Sequence, residues 1–134
     1  MKISTKGTYA MRIMADIATN QINGNVVAGE LATRQNISPK YLEQIMQMLL
    51  KSHLVVSHRG IAGGYTLSKP AKDITVGDIL TATEGKLQTV GCIEGTCDKV
   101  NSCVTVNVWS KLDKIVNEFL NTTTLQDVIT NNIK

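Results

Sequence analysis

A three-residue link between two short amphipathic segments constrains the fold of this chain more than any other feature. Residues 28–35 and 39–52 are each predicted to be helical, and residues 36–38 join them. Ser38 is a good N-cap. Pro39 is tolerated at the first helical position, because the backbone N–H that proline lacks would have no partner within the helix. The second helix has apolar residues at three- and four-residue spacing, at Leu42, Ile45, Met46 and Leu49. This pattern predicts a helix-turn-helix whose second helix contacts DNA bases.

A β-hairpin is predicted directly after this pair of helices. Residues 54–59 and 65–68 have strand-like composition, and the segment between them, 60–64, is rich in glycine. A hairpin after a helix-turn-helix is the winged-helix arrangement, with Arg59 at the mouth of the wing. Gly60 and Gly63 would let the backbone approach a phosphate or a groove closely. A plain solvent-exposed hairpin is the alternative interpretation.

The remaining helices complete a mainly α fold with a small β-hairpin wing. A first helix is predicted over residues 5–21, and a capping box at Thr75 begins a helix that ends near Glu84. We expect a winged helix-turn-helix domain over residues 1–84, a cysteine loop over 85–103, and a dimerisation helix with a short C-terminal helix over 104–134.

The long helix predicted from about residue 102 to 120 carries more large apolar residues than a small domain needs. A two-fold dimer through this helix would bury them, whereas the alternative is that the helix packs on its own domain. The residues predicted for the dimer contact are Val108, Trp109, Leu112, Ile115, Val116 and Phe119.

Charge divides the chain into a basic and an acidic part. Residues 1–72 hold nine Lys or Arg against three Asp or Glu, a net of +6, whereas residues 73–134 hold five against eight, a net of −3. A basic first half favours a polyanion as partner, although scattered surface charge is an equal alternative. The residues predicted to contact DNA phosphates are Lys2, Lys6, Arg34, Lys40, Lys51 and Arg59. Those predicted to read bases are Ser38, Lys40, Tyr41, Glu43 and Gln44.

Composition and missing motifs exclude several functions. Aromatic residues make up only 4% of the chain, too few for a platform that stacks single-stranded bases. The sequence contains no apolar run of membrane-spanning length and no signal peptide, so we expect a cytoplasmic protein without a membrane partner. It has no Cys-x-x-Cys, P-loop or HExxH motif, so we expect neither an enzyme nor a small-molecule substrate.

All cysteines of the chain, Cys92, Cys97 and Cys103, fall within twelve residues. An odd number cannot be fully paired in internal disulfides, and thiolates close in sequence can converge on one soft metal or an iron–sulfur cluster. This cluster of cysteines predicts a sensor that works through metal or sulfur chemistry.

Taken together, these motifs resemble the Rrf2 family of bacterial winged-helix regulators, and most closely its iron–sulfur cluster regulator branch. The resemblance rests on residues 1–10, the segment 37–44, the wing 59–65, the cysteines with residues 103–109, and the ending 124–128. It covers essentially the whole chain, in order.

The resemblance implies a homodimer that binds double-stranded DNA and carries a cluster, 2Fe-2S rather than 4Fe-4S, on Cys92, Cys97 and Cys103. In the iron–sulfur regulator branch the fourth ligand is a histidine at the position of Val106, and valine cannot ligate. The open alternatives for a fourth ligand are Glu94, Asp98, Asn107 or a small thiol. The resemblance also gives Glu43 a role in choosing between two classes of DNA site, and the alternative is a surface glutamate with no DNA contact.

Two further functions stay open at this point. One is a cluster-free thiol redox sensor in which the cysteines are oxidised directly, and the other is a DNA-binding module stabilised by zinc on the cysteines. His53 and His58 lie in the predicted DNA-binding half and are interpreted as surface or packing residues.

Overall fold

The structure, a computed structural model, describes residues 2–87 and 104–134. Within these residues two antiparallel strands accompany a set of helices. The helices are α1 (Thr5–Asn20), α2 (Ala28–Gln35), α3 (Pro39–Lys51), α4 (Val76–Glu84), α5 (Val106–Thr122) and α6 (Leu125–Ile129), and the strands are β1 (Val55–His58) and β2 (Gly64–Leu67).

The turn between α2 and α3 forms as the sequence predicts. Asn36 ends α2 in the left-handed conformation with φ 54°, which asparagine tolerates better than most residues. Ser38 Oγ accepts a hydrogen bond from the Tyr41 amide at 3.1 Å, and Pro39 occupies the first turn of α3. Local side-chain chemistry therefore fixes where α3 begins.

The hairpin is attached to the segment that precedes α2. β1 pairs with β2 in antiparallel register, with Val55 opposite Leu67 and His58 opposite Gly64. Val26 exchanges two backbone hydrogen bonds with Tyr65, at 2.9 and 2.8 Å. The wing is thus held by a third short stretch of backbone and does not project as an isolated two-stranded ribbon.

The core lies where α1, α2, α3 and α4 meet the base of the wing. α1 contributes a stripe of buried residues at the predicted three- and four-residue spacing. The largest fully buried side chains of the described residues are Ile13, Met14, Ile17, Leu31, Leu42, Ile45, Met46, Leu49, Ile74, Ile79 and Leu125. Burying a side chain of this size contributes about 1.5–3 kcal/mol.

The C-terminal helix returns to this core. Leu125 is fully buried, and its amide donates to the Ile74 carbonyl oxygen at 2.8 Å. The Thr124 side chain and the Asp127 carboxylate form a reciprocal capping box that begins α6. α5 begins at Val106, four residues later than the start predicted near residue 102.

This architecture confirms the predicted fold class, mainly α with a hairpin wing. The predicted bounds of the first four helices agree with the structure to within one residue. Among the described residues, none of the helices combines the length and apolar character needed to cross a membrane.

Candidate nucleic-acid interface

The outer face of α3 presents the residues predicted to read bases. Leu42, Ile45, Met46 and Leu49 face the core, which turns the polar positions of the helix outward. The exposed residues on or next to α3 include Ser38, Lys40, Glu43, Gln44, Gln47 and Lys51. The amphipathic pattern of α3 therefore places two cations, a carboxylate and two amides on a solvent-facing surface.

Tyr41 differs from its neighbours because it packs inward. Its ring meets that of Tyr9 edge-on, with centroids 5.8 Å apart and an interplanar angle of 89°. The Arg12 guanidinium lies 4.8 Å above the Tyr9 ring centroid and also donates to the Gln35 side-chain oxygen at 3.0 Å. Tyr41, predicted to read bases, therefore contributes to the seam that joins α1 to α3.

Arg34, predicted to contact phosphates, is engaged by a carboxylate. Its Nη2 atom donates to Asp16 Oδ1 at 2.7 Å, and its Nε donates to Asp16 Oδ2 at 3.0 Å. Glu30 lies 3.6 Å from Nη1, one helical turn before Arg34. The guanidinium of Arg34 on α2 is therefore tied to Asp16 on α1.

The Asp16 carboxylate collects further donors on the same side of α1. Gln35 Nε2 donates to it at 2.8 Å and Asn20 Nδ2 at 3.0 Å. Burial would raise the pKa of Asp16, but the hydrogen bonds and charge of Arg34, with the hydrogen bonds from Gln35 and Asn20, outweigh it and lower the pKa below 3.8. The hydrogen bond to Asp16 raises the pKa of Arg34. The pair is ionised near neutral pH.

The wing tip is exposed, and the structure requires glycine at Gly60 and Gly63 for different reasons. Arg59 is exposed at the end of β1. Gly60 has φ +101°, a left-handed value that favours glycine. A Cβ at Gly63 would lie 2.6 Å from the His58 carbonyl oxygen, so the loop folds back too tightly for any side chain. His58 Nε2 lies 2.8 Å from Thr66 Oγ1 across the strands, in keeping with a packing role.

A groove separates α3 from the wing. It has a volume of about 280 Å³ and is lined by the start of α2, by α3 and by Tyr65 of β2. On α3 the lining residues are Glu43 and Gln47 together with the apolar Pro39, Leu42 and Met46. Glu43 therefore belongs both to the exposed face of α3 and to the lining of the groove.

The N-terminus of α1 is attached to the end of α4. The Ser4 amide donates to Glu84 Oε1 at 3.0 Å, and the Ser4 hydroxyl contacts the same oxygen. Ser4 Oγ in turn caps α1 by accepting from the Gly7 amide at 3.2 Å. Lys2 is exposed and Lys6 half-buried beside this contact, where both remain candidates for phosphate contacts.

The predicted metal ligands Cys92, Cys97 and Cys103 lie outside the described residues. Val106, which stands where the resemblance predicts a histidine ligand, is the first residue of α5. In the two described segments, no group of three or more His, Cys, Asp or Glu side chains is arranged to hold a metal ion.

Most of the residues predicted for the dimer contact are exposed. Val108, Leu112, Ile115 and Phe119 are 58%, 42%, 51% and 44% exposed, and Trp109 and Val116 are half-buried. Leu120 turns the other way and packs with Val76 and Leu80 of α4. The C-terminal end of α5 thus packs on its own domain, while an apolar stripe along the helix faces solvent.

Sequence reasoning did not find the contacts that brace this interface. The Asp16–Arg34 pair, the Tyr9–Tyr41 contact and the Asn25 hydrogen bond to the wing all join residues distant in sequence. The available signal was Asp16 itself, a charged residue beside the apolar stripe of α1.

An exposed helix after a tight turn, beside a braced hairpin with a glycine tip, defines a winged-helix DNA-binding protein. The family model described as Rrf2, an iron-dependent transcriptional regulator, matches residues 3–131. The chain therefore belongs to the Rrf2 family of transcriptional regulators, and the prediction that it is not an enzyme is confirmed by its relatives.

Individual relatives cover nearly the whole chain. IscR of Yersinia pseudotuberculosis, an HTH-type transcriptional regulator, is 38% identical over 133 residues, which are 98% of this chain and 80% of IscR. The structure of CymR, the global cysteine regulator of B. subtilis, matches with a TM-score of 0.84 and 33% identity over 98% of both chains. T. potens IscR matches with a TM-score of 0.79 and 38% identity, over 98% of this chain and 88% of that one. The predicted family resemblance is confirmed.

Proposed function

We propose that this transcriptional regulator acts as a homodimer whose DNA binding is modulated by an iron–sulfur cluster on Cys92, Cys97 and Cys103. The DNA contact comes from the outer face of α3 together with the wing. The observation that carries the proposal is the combination of this polar face with a separate apolar stripe on α5. The first supplies a surface for DNA and the second supplies a surface for a second copy.

The spacing of the stripe on α5 supports the dimer. Val108, Leu112, Ile115 and Phe119 follow one another at intervals of four, three and four residues, which is the repeat of a helix pair. Contiguous exposed apolar residues of this kind mark protein contacts more often than free surface. Two α5 helices related by a two-fold axis would cover them.

Light scattering of the purified protein tests the dimer directly. Leu112→Glu places a charge in the stripe and should shift the protein from dimer to monomer. Lys114→Glu is the matched control, because Lys114 is exposed on the same helix outside the stripe. A wild-type monomer at micromolar concentration, or a Leu112→Glu dimer as stable as the control, would contradict the proposal.

The cysteine donor set fits a cluster that takes three protein thiolates and leaves one position for another ligand. Glu94, Asp98, Asn107 and a small thiol are the candidates for that position, because Val106 offers no donor. When bound, the cluster would supply a centre sensitive to iron, oxidant or nitric oxide. A ligand set with one weak or exchangeable member would favour easy loss of the group.

The position of the cysteines along the chain suggests how binding of a group there would reach DNA. Cys103 precedes the start of α5 by three residues, and α5 carries the proposed dimer stripe. A rearrangement of the cysteine segment would therefore shift α5 and change the spacing of the two winged domains. A two-fold dimer binds two half-sites only at the correct spacing, so this change alters DNA affinity.

Purification without oxygen, followed by visible spectroscopy and iron and sulfide counts, tests the cluster. We expect a coloured protein with matched iron and sulfide, and loss of both in Cys92→Ala, Cys97→Ala and Cys103→Ala. Separate replacement of Glu94, Asp98 and Asn107 by Ala should identify a protein-derived fourth ligand by the iron retained. A colourless, iron-free protein after reconstitution would refute the cluster.

A cluster-free thiol redox regulator is the second candidate function. One observation favours it, namely valine at the position where the iron–sulfur regulator branch has its histidine ligand. In that case DNA affinity would change with oxidant in iron-free protein, and mass spectrometry would find oxidised or paired cysteines. Bound zinc without colour would instead indicate the zinc-stabilised alternative.

A further inference from the structure

The tip of the wing presents one large apolar side chain. Ile61 is 110% exposed, the highest fraction among the large apolar side chains of the described residues. Single exposed apolar residues are common on protein surfaces. Ile61 differs from such residues because the backbone around it is fixed, which indicates a role in binding.

The backbone on both sides of Ile61 is fixed. The Gly63 amide donates to the Gly60 carbonyl oxygen at 3.0 Å, so Ile61 and Ala62 are the central residues of a tight turn. Gly60 takes a left-handed φ of +101°, and Gly63 lies too close to the His58 carbonyl oxygen to carry a Cβ. The turn therefore sets the direction in which the Ile61 side chain leaves the hairpin.

The turn is also attached to the body of the domain. Asn25 Nδ2 donates to the Ala62 carbonyl oxygen at 2.8 Å, and Val26 pairs with Tyr65 at the base of the tip. Gly64 approaches the Val26 backbone so closely that an added Cβ would lie 2.6 Å from its carbonyl oxygen. A tip held in this way loses little conformational freedom when it binds a partner.

Shape and charge indicate which partner the tip fits. Residues 60–64 include three glycines and one alanine, so Ile61 stands on a narrow support. Residues 54–69 contain Arg59 and Lys69 and no acidic residue, which suits a polyanion. The DNA minor groove is about 6 Å wide, and other DNA-binding proteins place apolar side chains in it.

We propose that Ile61 enters the DNA minor groove and selects A·T pairs there by excluding the 2-amino group of guanine. The proposal rests on the DNA-binding function and adds a specificity-determining residue to it. An isoleucine side chain forms no hydrogen bonds, so it reads the groove floor by shape. A·T pairs offer only acceptor atoms on that floor, whereas guanine adds an amino group that Ile61 would strip of water without replacing its hydrogen bond.

Substituted duplexes test the proposal. Random duplexes are first selected with the wild-type protein, and hydroxyl-radical footprinting locates the minor-groove contact of the wing. Each A·T pair at that contact is then replaced by inosine·C or by G·C. Inosine lacks the 2-amino group, so inosine·C keeps the minor-groove face of A·T while it presents the major-groove face of G·C.

We expect wild-type protein to bind the A·T and inosine·C duplexes alike and the G·C duplex about 5- to 100-fold more weakly. Ile61→Ser should bind all three alike, with an unchanged dependence on salt because no phosphate contact is lost. Ile22→Ser is the matched control, since Ile22 is 86% exposed on the short turn after α1. The control should keep the G·C penalty.

Three results would overturn the proposal. They differ in whether they refute only the role of Ile61, the readout in the minor groove, or sequence-specific DNA binding as a whole. A G·C penalty retained by Ile61→Ser would show that another residue reads the groove. An inosine·C duplex as weak as G·C would show that the discrimination is made in the major groove. Failure of wild-type protein to enrich any duplex would refute sequence-specific DNA binding itself. Equal melting temperatures of Ile61→Ser and wild type would show that the variant is folded.

Discussion

Replacing Asp16 tests whether its contacts with Arg34 and Gln35, which join α1 to α2, stabilise the fold. We call these contacts the brace. Asp16→Ala removes the acceptor for Arg34 Nε and Nη2 and for Gln35 Nε2, at 3.0, 2.7 and 2.8 Å. Breaking a buried ion pair from one side costs about 3–5 kcal/mol. The Arg34 side chain is 37% exposed and recovers some water, so we expect a loss of about 2–3 kcal/mol in the free energy of unfolding.

Thermal unfolding followed by circular dichroism measures this loss. For a domain of this size, the expected destabilisation corresponds to a melting temperature lower by roughly 6–12 °C. Glu30→Ala is the matched control, because Glu30 also approaches Arg34, at 3.6 Å, but is 65% exposed. It should cost no more than about 0.5 kcal/mol.

A double-mutant cycle with Arg34→Ala separates the two roles proposed for Arg34. If Arg34 acts as a brace, the double variant should be little less stable than either single variant, and the salt dependence of DNA binding should stay unchanged. Asp16→Ala and Glu30→Ala with equal stability would refute the brace. A lower salt slope for Arg34→Ala, with unchanged stability, would support Arg34 as a phosphate contact.

Three further perturbations have expected outcomes of their own. Because the pKa of Asp16 is lowered in the folded protein, its contribution is complete above the ordinary carboxyl pKa and is lost as the pH falls through the folded value. Urea unfolding should accordingly show the gap between wild type and Asp16→Ala narrowing below pH 3.8, and a constant gap down to pH 2 would contradict this sign. Gly64→Ala should cost about 1–3 kcal/mol in calorimetry, because φ is +153° and Val26 blocks a Cβ, whereas Gly29→Ala in α2, with nothing within 4 Å, should cost nothing. Glu43→Ala should relax base preference in a duplex selection without lowering general affinity, and a uniform loss over all sequences would exclude a reading role.

Local sequence signals located most of the helices because helix ends depend on neighbouring residues. Ser38, Thr75 and Thr124 each cap the helix that follows by accepting a backbone amide hydrogen bond from three residues further on. The start of α5 was predicted near residue 102 and lies at Val106, and Thr105 before it makes no such side-chain cap. Where a cap exists, the boundary can be read from a few letters of sequence.

The exposed half of the candidate interface followed from the same local patterns. The three- and four-residue spacing that buries Leu42 and Ile45 also turns Glu43 and Gln44 to solvent. The contacts of Arg34 and Tyr41 could not be predicted from these patterns, because their partners, Asp16 and Tyr9, lie on α1. A charged or aromatic side chain can serve a partner or its own core, and sequence spacing does not distinguish the two.

The helix-turn-helix, the hairpin with its glycine tip and the order of the helices can be predicted from the sequence, because caps, turns and periodicity act within a few residues. The contact of Arg34 with α1, the burial of Leu125 beside Ile74 and the hydrogen bond of Asn25 to the wing tip are seen only in the folded protein. These contacts join segments 18 to 51 residues apart, and their energies depend on distances and burial that exist only after the chain has folded.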